Sequence, residues 1–192
     1  GSALQLNNNT PTANGGNTNH LITFGTLPFN APPTGSTSAT LFFGGFDQVD
    51  TRFTGVTLAN TPTISTRSND SNSTLTLVGL MSGSGGINFG GTAGEVIEIG
   101  SGTADSAANT YTGDIGLFGG ARVVLNKANN VTAITGDVVI NGGTLTFKRA
   151  GQDNQLATGT KVFLYAGALG VNPGTNVGTM PRDFSGVVPE VV

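Results

Sequence analysis

The chain of 192 residues contains no cysteine and no tryptophan, and histidine occurs once, as His20. Missing thiols exclude disulfides, thiolate metal sites and thiol nucleophiles together. One imidazole leaves little for a histidine-dependent triad, and His20, at the start of an apolar run, reads as a solvated turn residue. Charge is scarce too: eight basic and 11 acidic residues give a formal net charge of −3. The basic residues are scattered from Arg52 to Arg182, without the stripe that nucleic acid requires. No apolar run approaches the ~20 residues of a membrane-spanning helix. The expectation is therefore no nucleic-acid partner and no membrane span in this segment.

What the chain has instead is 31 Gly, 28 Thr and 19 Asn. Glycine and asparagine tolerate the positive φ of tight turns, and threonine favours strands. Low charge with many β-branched residues is the opposite of a disordered composition. No stretch shows helical period. From Thr74 to Phe147 short runs with apolar residues at every second position alternate with Gly, Asn and Ser turns, the pattern of strands with one buried face.

Taken in order, Gly1-Ser2 reads as a cloning remnant and residues 3–55 as an N-terminal cap region of irregular strands. Six of the 11 Phe lie between Phe24 and Phe53. They fit a cap over the open end of a solenoid better than an aromatic ligand platform, which favours Trp and Tyr. Residues 56–192 read as rungs continuous with that cap, in one elongated domain. Comparable strands start at Leu75, Val96, Val123, Leu145 and Val162, with Ile115 between, a spacing that suits a parallel β-helix with coils of roughly 20–30 residues. Leu75, Leu77, Val96, Val123, Leu125, Leu145, Phe147, Val162 and Leu164 are expected to point inward in one column. Asn126, Asn130, Asn141 and Asn154 fall at turns, where they can bond local backbone or stack into ladders. Val187-Val188-Pro189-Glu190-Val191-Val192 is apolar apart from Glu190, which suggests end-to-end self-association through the C-terminal face, or the next rung of a longer parent protein.

The segments Leu75-Thr76-Leu77, Ser82-Gly83-Ser84-Gly85-Gly86, Asn109-Thr110-Tyr111-Thr112-Gly113 and Val123-Val124-Leu125-Asn126 occur in that order, followed by Asp153-Asn154-Gln155-Leu156. In content and order this resembles the passenger-associated transport repeat, or autotransporter-associated β-strand repeat, of large secreted bacterial proteins. The resemblance implies a right-handed parallel β-helix in a secreted or surface-exposed bacterial protein, with a structural role as a stalk, adhesin or matrix segment. Glu95 and Glu98 depart from it, standing where such repeats prefer Thr or Ser.

Parallel β-helices also carry polysaccharide lyases and hydrolases, whose sites need clustered carboxylates. The candidate acids are Asp47 with Asp50 beside Arg52, Glu95 with Glu98, Asp105 with Asp114, and Asp153. None makes a convincing set, since Glu95 and Glu98 would fall on opposite faces of one strand. Asn69-Asp70-Ser71-Asn72-Ser73 is oxygen-rich but matches no calcium loop, and Gly83-Ser84-Gly85-Gly86 precedes no helix and is no dinucleotide fingerprint. The reading is a non-enzymatic structural segment without catalytic, metal or cofactor residues. A carbohydrate-binding module that contacts surface polysaccharide is the runner-up, and a lyase or hydrolase comes third.

Overall fold

In the computed structural model the described residues are 6–7, 20–31, 39–43, 45–46, 49–66, 73–91, 95–148, 154–171 and 189–191. They hold strands β1 (Leu6–Asn7), β2 (His20–Phe29), β3 (Thr40–Phe43), β4 (Gly45–Phe46), β5 (Val49–Leu58), β6 (Thr63–Thr66), β7 (Thr74–Leu77) and β8 (Met81–Gly83). There follow β9 (Ile87–Gly91), β10 (Val96–Ile99), β11 (Ile115–Phe118), β12 (Arg122–Leu125), β13 (Val138–Phe147), β14 (Val162–Val171) and β15 (Pro189–Val191). No described residue is helical. Each strand pairs in parallel with a strand from the coil before or after it, which makes the chain a β-solenoid.

Three faces follow from the register. The first stacks the start of β2, the start of β5, β7, β10, β12 and the ends of β13 and β14. The third stacks β3, β6, β9, β11, the starts of β13 and β14, and β15. Between them, the ends of β2 and β5 lie over β8. That second face continues through bonds such as Thr110 N–H to the Met81 carbonyl and the Ile134–Leu156 bridge. A coil thus runs first, second, third face. β2 and β3 form the first, β5 and β6 the second, β7 to β9 the third, and β10 and β11 the fourth. β12 and the start of β13 form the fifth, and the end of β13 with the start of β14 the sixth.

Alternation within each short strand sends one set of side chains to the axis. On the first face Leu75, Ile97, Val123 and Leu145 are in register, as are Leu77, Ile99, Leu125 and Phe147, and all are fully buried. On the third face Phe89, Leu117 and Ile140 stack the same way. One coil could not shield these groups from water, but stacked coils do. The expected column needs two corrections. Val96 is only half-buried, because Ile97 and Ile99 are the inward residues of β10. The run VIEI offers two apolar parities, and stacking on Leu75 and Leu77 selects the one that places Glu98 outside. Val162 and Leu164 belong to a different column, since they pair with Val138 and Ile140 on the third face, while Leu169 continues the first. A ten-residue strand that turns a corner holds two columns, and a count of strand starts merges them.

The boundary near residue 55 is not a break, for β5 runs across it and pairs with β2 along its whole length. Phe29, Phe43 and Phe53 are buried, and the Phe24 ring stacks on Phe53 with centroids 5.3 Å apart. These phenylalanines therefore fill the core of the first two coils rather than pave a surface. β2 and β3 end the strand order, the position a cap takes. The Phe29 carbonyl bonds back to Ala59 N–H. Backbone groups alternate in direction along a strand, so Pro28 turns its donor-free nitrogen to the open edge, where proline costs no ladder bond.

Glycines mark the corner between the second and third faces. A Cβ on Gly85 would stand 1.7 Å from the Asn60 carbonyl oxygen, and one on Gly113 would stand 2.2 Å from Gly86 N. The Ser-Gly-Ser-Gly-Gly run is thus required by backbone passing over backbone.

The register gives a direct test. Ile99→Ala should cost about 2–5 kcal/mol in urea unfolding, as large-to-small changes in cores do, whereas Val96→Ala should cost much less. Equal losses would mean that β10 sits one residue out of register.

Candidate functional site

Five buried polar side chains, Asp105, Asn109, Asn126, Lys127 and Gln155, gather at one corner, where the first face turns into the second. In the third coil this corner is short, residues 78–80 between Leu77 and Met81; in the fourth it is long, residues 100–108 between Ile99 and Asn109. Lys127, from the fifth coil, fills the space beneath. Its side chain is fully buried, and Nζ donates to the Gly79 carbonyl at 2.7 Å, the Ala107 carbonyl at 2.7 Å and Asp105 Oδ1 at 3.1 Å. Asp105 Oδ2 accepts from Gly79 N–H at 3.0 Å. The ammonium has three protons and three acceptors, and they come from the third and fourth coils. Burial pushes the Lys127 pKa below the ordinary lysine value, against the pull of Asp105. Neither group reaches solvent, so the pair cannot meet a substrate.

Lys127 N–H donates to Gln155 Oε1 at 3.1 Å, and Gln155 Nε2 donates to the Ala128 carbonyl at 3.0 Å. Nearby, Asn109 Oδ1 accepts from Met81 N–H at 2.9 Å while Nδ2 donates to the Ala133 carbonyl at 2.7 Å. One amide thus joins the third, fourth and fifth coils. Tyr111 is buried with its hydroxyl 3.4 Å from the Ala133 carbonyl, and burial raises its phenol pKa well above the usual value.

Outside the same corner lies a second clasp of three coils. Glu98 accepts from Lys148 Nζ at 2.8 and 2.9 Å through both oxygens, and Asn126 Nδ2 donates to Glu98 Oε1. Its residues come from the fourth, fifth and sixth coils. Glu98 is thus held by a lysine two coils on.

The candidate acids Asp50 and Asp114 take similar posts, as does Asp137, which was not among the candidates. Asp50 Oδ1 accepts from Thr74 N–H at 2.8 Å, Asp114 Oδ1 from Asp137 N–H at 2.9 Å, and Asp137 Oδ1 from Lys161 N–H at 2.9 Å. Asp105 and Asp114, paired in the sequence reading, are not brought together: each serves a different corner. Glu95 is buried at the start of the fourth coil, on the opposite parity to Glu98. Asn130 and Asn154 both adopt φ of 60°, and Asn154 Nδ2 donates to Asn130 Oδ1 at 2.6 Å, a two-rung asparagine ladder at an expected turn. His20 opens β2 opposite Val49. Asp47, Asp153 and residues 69–72 lie outside the described residues. Among those described, no group of three or more His, Cys, Asp or Glu is placed to hold a metal ion.

Sequence reasoning missed Lys127 and Gln155. A lone lysine and a lone glutamine in turn-rich segments carry no signal of burial. Lys127 does follow Asn126 directly after β12, where Gly100 follows Ile99, and a charge so close to an inward column was the available clue.

No family model, no curated protein and no solved structure matches this chain.

Two measurements check this corner. Lys127→Met should lower stability by about 3–5 kcal/mol, because it leaves Asp105 buried without its partner, and the pair Lys127→Met with Asp105→Leu should recover a large part of that loss. A double variant as unstable as the single one would show that the Gly79 and Ala107 carbonyls left without a donor, and not the lone Asp105 carboxylate, carry the loss. The second concerns pH. A phenol raised on folding contributes stability that is complete below the unfolded value near 10 and is lost as pH climbs toward the folded value. Tyr111→Phe should therefore be less stable than the parent by roughly 1 kcal/mol at pH 7, and that gap should close between pH 10 and 12. A gap that widens there would contradict the assignment.

Proposed function

We propose that the chain is a non-enzymatic structural segment of a secreted or surface-exposed bacterial protein, a β-solenoid stalk that spaces or displays other parts of its parent. The carrying observation is where the reactive side chains are spent. Asp50, Glu98, Asp105, Asp114 and Asp137 each bond a group in a neighbouring coil, and Lys127 and Lys148 each span to the coil two before their own. Acids committed to backbone N–H groups and lysines are poor general acids or metal ligands, whereas the same bonds stiffen a rod. The order of the Leu-Thr-Leu, Ser-Gly-Ser-Gly-Gly and Asn-Thr-Tyr-Thr-Gly segments supports export in an autotransporter-like parent. Neighbouring coils of that parent, or a second copy stacked at an axial end, are the partners this reading implies.

Antibodies raised against the segment should label intact, unpermeabilised cells of the producing bacterium or its culture medium, and the purified chain should release no reducing ends or unsaturated sugars from pectin, xylan or alginate. Labelling that requires lysis overturns the surface reading; product release overturns the structural one.

A further inference from the structure

The third face carries an aromatic strip on its outer side that the stacking does not use. Gly116 is the outward residue between the inward Ile115 and Leu117 of β11, and the Phe118 ring lies over it: a Cβ there would stand 2.4 Å from Phe118 Cε2 and 2.5 Å from Asn88 Oδ1. A ring and an amide thus sit side by side on a bare stretch of backbone. Phe118 remains 38% exposed. Two coils further on, Tyr165 is 54% exposed, and Phe163 is the outward residue next to Val139.

Both exposed aromatics sit at breaks in the ladder. The register of β11 against β13 shifts at Phe118, which faces Asn141 and Gly142 together. That of β13 against β14 jumps from Ile140–Leu164 to Asn141–Ala166, which leaves Tyr165 as the extra residue. Bulges of this kind re-aim side chains. Here they put two aromatics on the outside of one face, about 9.5 Å apart along the axis at the usual strand spacing.

From β3 to β14 the strip is also uncharged. The outward row Thr40, Thr63, Asn88, Gly116, Val139, Phe163 has no acid or base until the register reaches Glu190 of β15, opposite Phe163, and the exposed residue beside Phe118 is Asn141. Flat apolar rings flanked by amides complement a sugar ring, which offers a C–H face for stacking and hydroxyls for hydrogen bonds. A separation of two coils suits alternate sugars of an extended chain lying along the axis.

We infer that the outer strip of the third face, centred on Phe118 and Tyr165, binds a neutral, extended polysaccharide lengthwise. This does not rest on the spacer role, since a rod of any origin could carry the strip.

The test is titration of the intact chain with cellohexaose, xylohexaose, mannohexaose and laminarihexaose, and co-sedimentation with the parent insoluble polymers. At least one of these neutral glycans should bind in the millimolar range or tighter. Phe118→Ala and Tyr165→Ala should each weaken that binding about fivefold or more, as loss of one aromatic contact does, with the melting temperature unchanged. Leu80→Ala, an exposed apolar residue on another corner, should leave it intact. If Phe118→Ala lowers the melting temperature, Tyr165→Ala alone decides, because its bulged position bears on no core column. Absence of binding to every glycan, or binding that survives both alanine substitutions, overturns the inference.

Discussion

The spacing of parallel strands, about 4.8 Å between neighbours, is the constraint on which everything else in this molecule depends. It is short enough that a side chain in one coil reaches the backbone of the next. Asp114 therefore binds the N–H of Asp137, Asp137 that of Lys161, and Asn109 bridges Met81 and Ala133. It is also too short for a Cβ where corners cross closely, hence glycine at Gly85, Gly86, Gly113 and Gly136. The same distance stacks Leu75, Ile97, Val123 and Leu145 in van der Waals contact. Hydrophobic burial, backbone ladder and polar corner bonds are three consequences of one repeat distance, so loss of one coil's position weakens all three in its neighbours.

Within that repeat, carboxylates tie adjacent coils, and lysines tie two coils across a third. A lysine is long enough to do so. Lys127 passes beneath the fourth coil to reach Gly79 in the third, and Lys148 passes over Asn126 in the fifth to reach Glu98 in the fourth. The inner clasp is shut off from solvent, and its ammonium donates to the Gly79 and Ala107 carbonyls and to Asp105; the outer one has Lys148 side chain 41% exposed, and an exposed pair contributes at most about 1 kcal/mol. Similar spans therefore respond differently to loss of one partner, since a buried charge left unpaired is costly and an exposed one is not.

Much of the fold was legible because strand alternation and turn residues are local properties. The runs at Leu75, Val123 and Leu145, the glycine corners and the asparagine turns at Asn130 and Asn154 all follow from the chain itself. The parity of VIEI did not, since both Val96 and Ile97 are apolar and only the neighbouring coils choose between them. Nor did the placement of Val162 on the third face, because β13 and β14 each carry strand pairing through a corner, and Asn141-Gly142-Gly143 marks a bend inside β13 where a turn signal would be read as its end. The polar corner was the least legible part. Nothing in the residues around Lys127 shows that a carbonyl 48 positions earlier will be its partner, since that relation exists only once three coils are stacked. The expected acid pairs failed for the same reason: Asp105 and Asp114 are near in sequence, yet they lie at different corners of one coil.

Corner length is what this architecture leaves free. The faces must keep register, but the connection from first to second face grows from residues 78–80 in the third coil to residues 100–108 in the fourth without disturbing the ladder on either side. A longer corner carries backbone carbonyls with no strand partner, and these are costly to bury unbonded. Ala107 presents such a carbonyl, and the Lys127 ammonium takes it together with the Asp105 carboxylate of the same long corner and the Gly79 carbonyl of the short corner above. The lysine is thus the counterpart of the insertion above it. Where a corner of a β-solenoid lengthens, a buried charged or amide side chain from the following coil is the simplest way to satisfy the loop's backbone, and Gln155 beneath Lys127 and Ala128 repeats that solution one coil later.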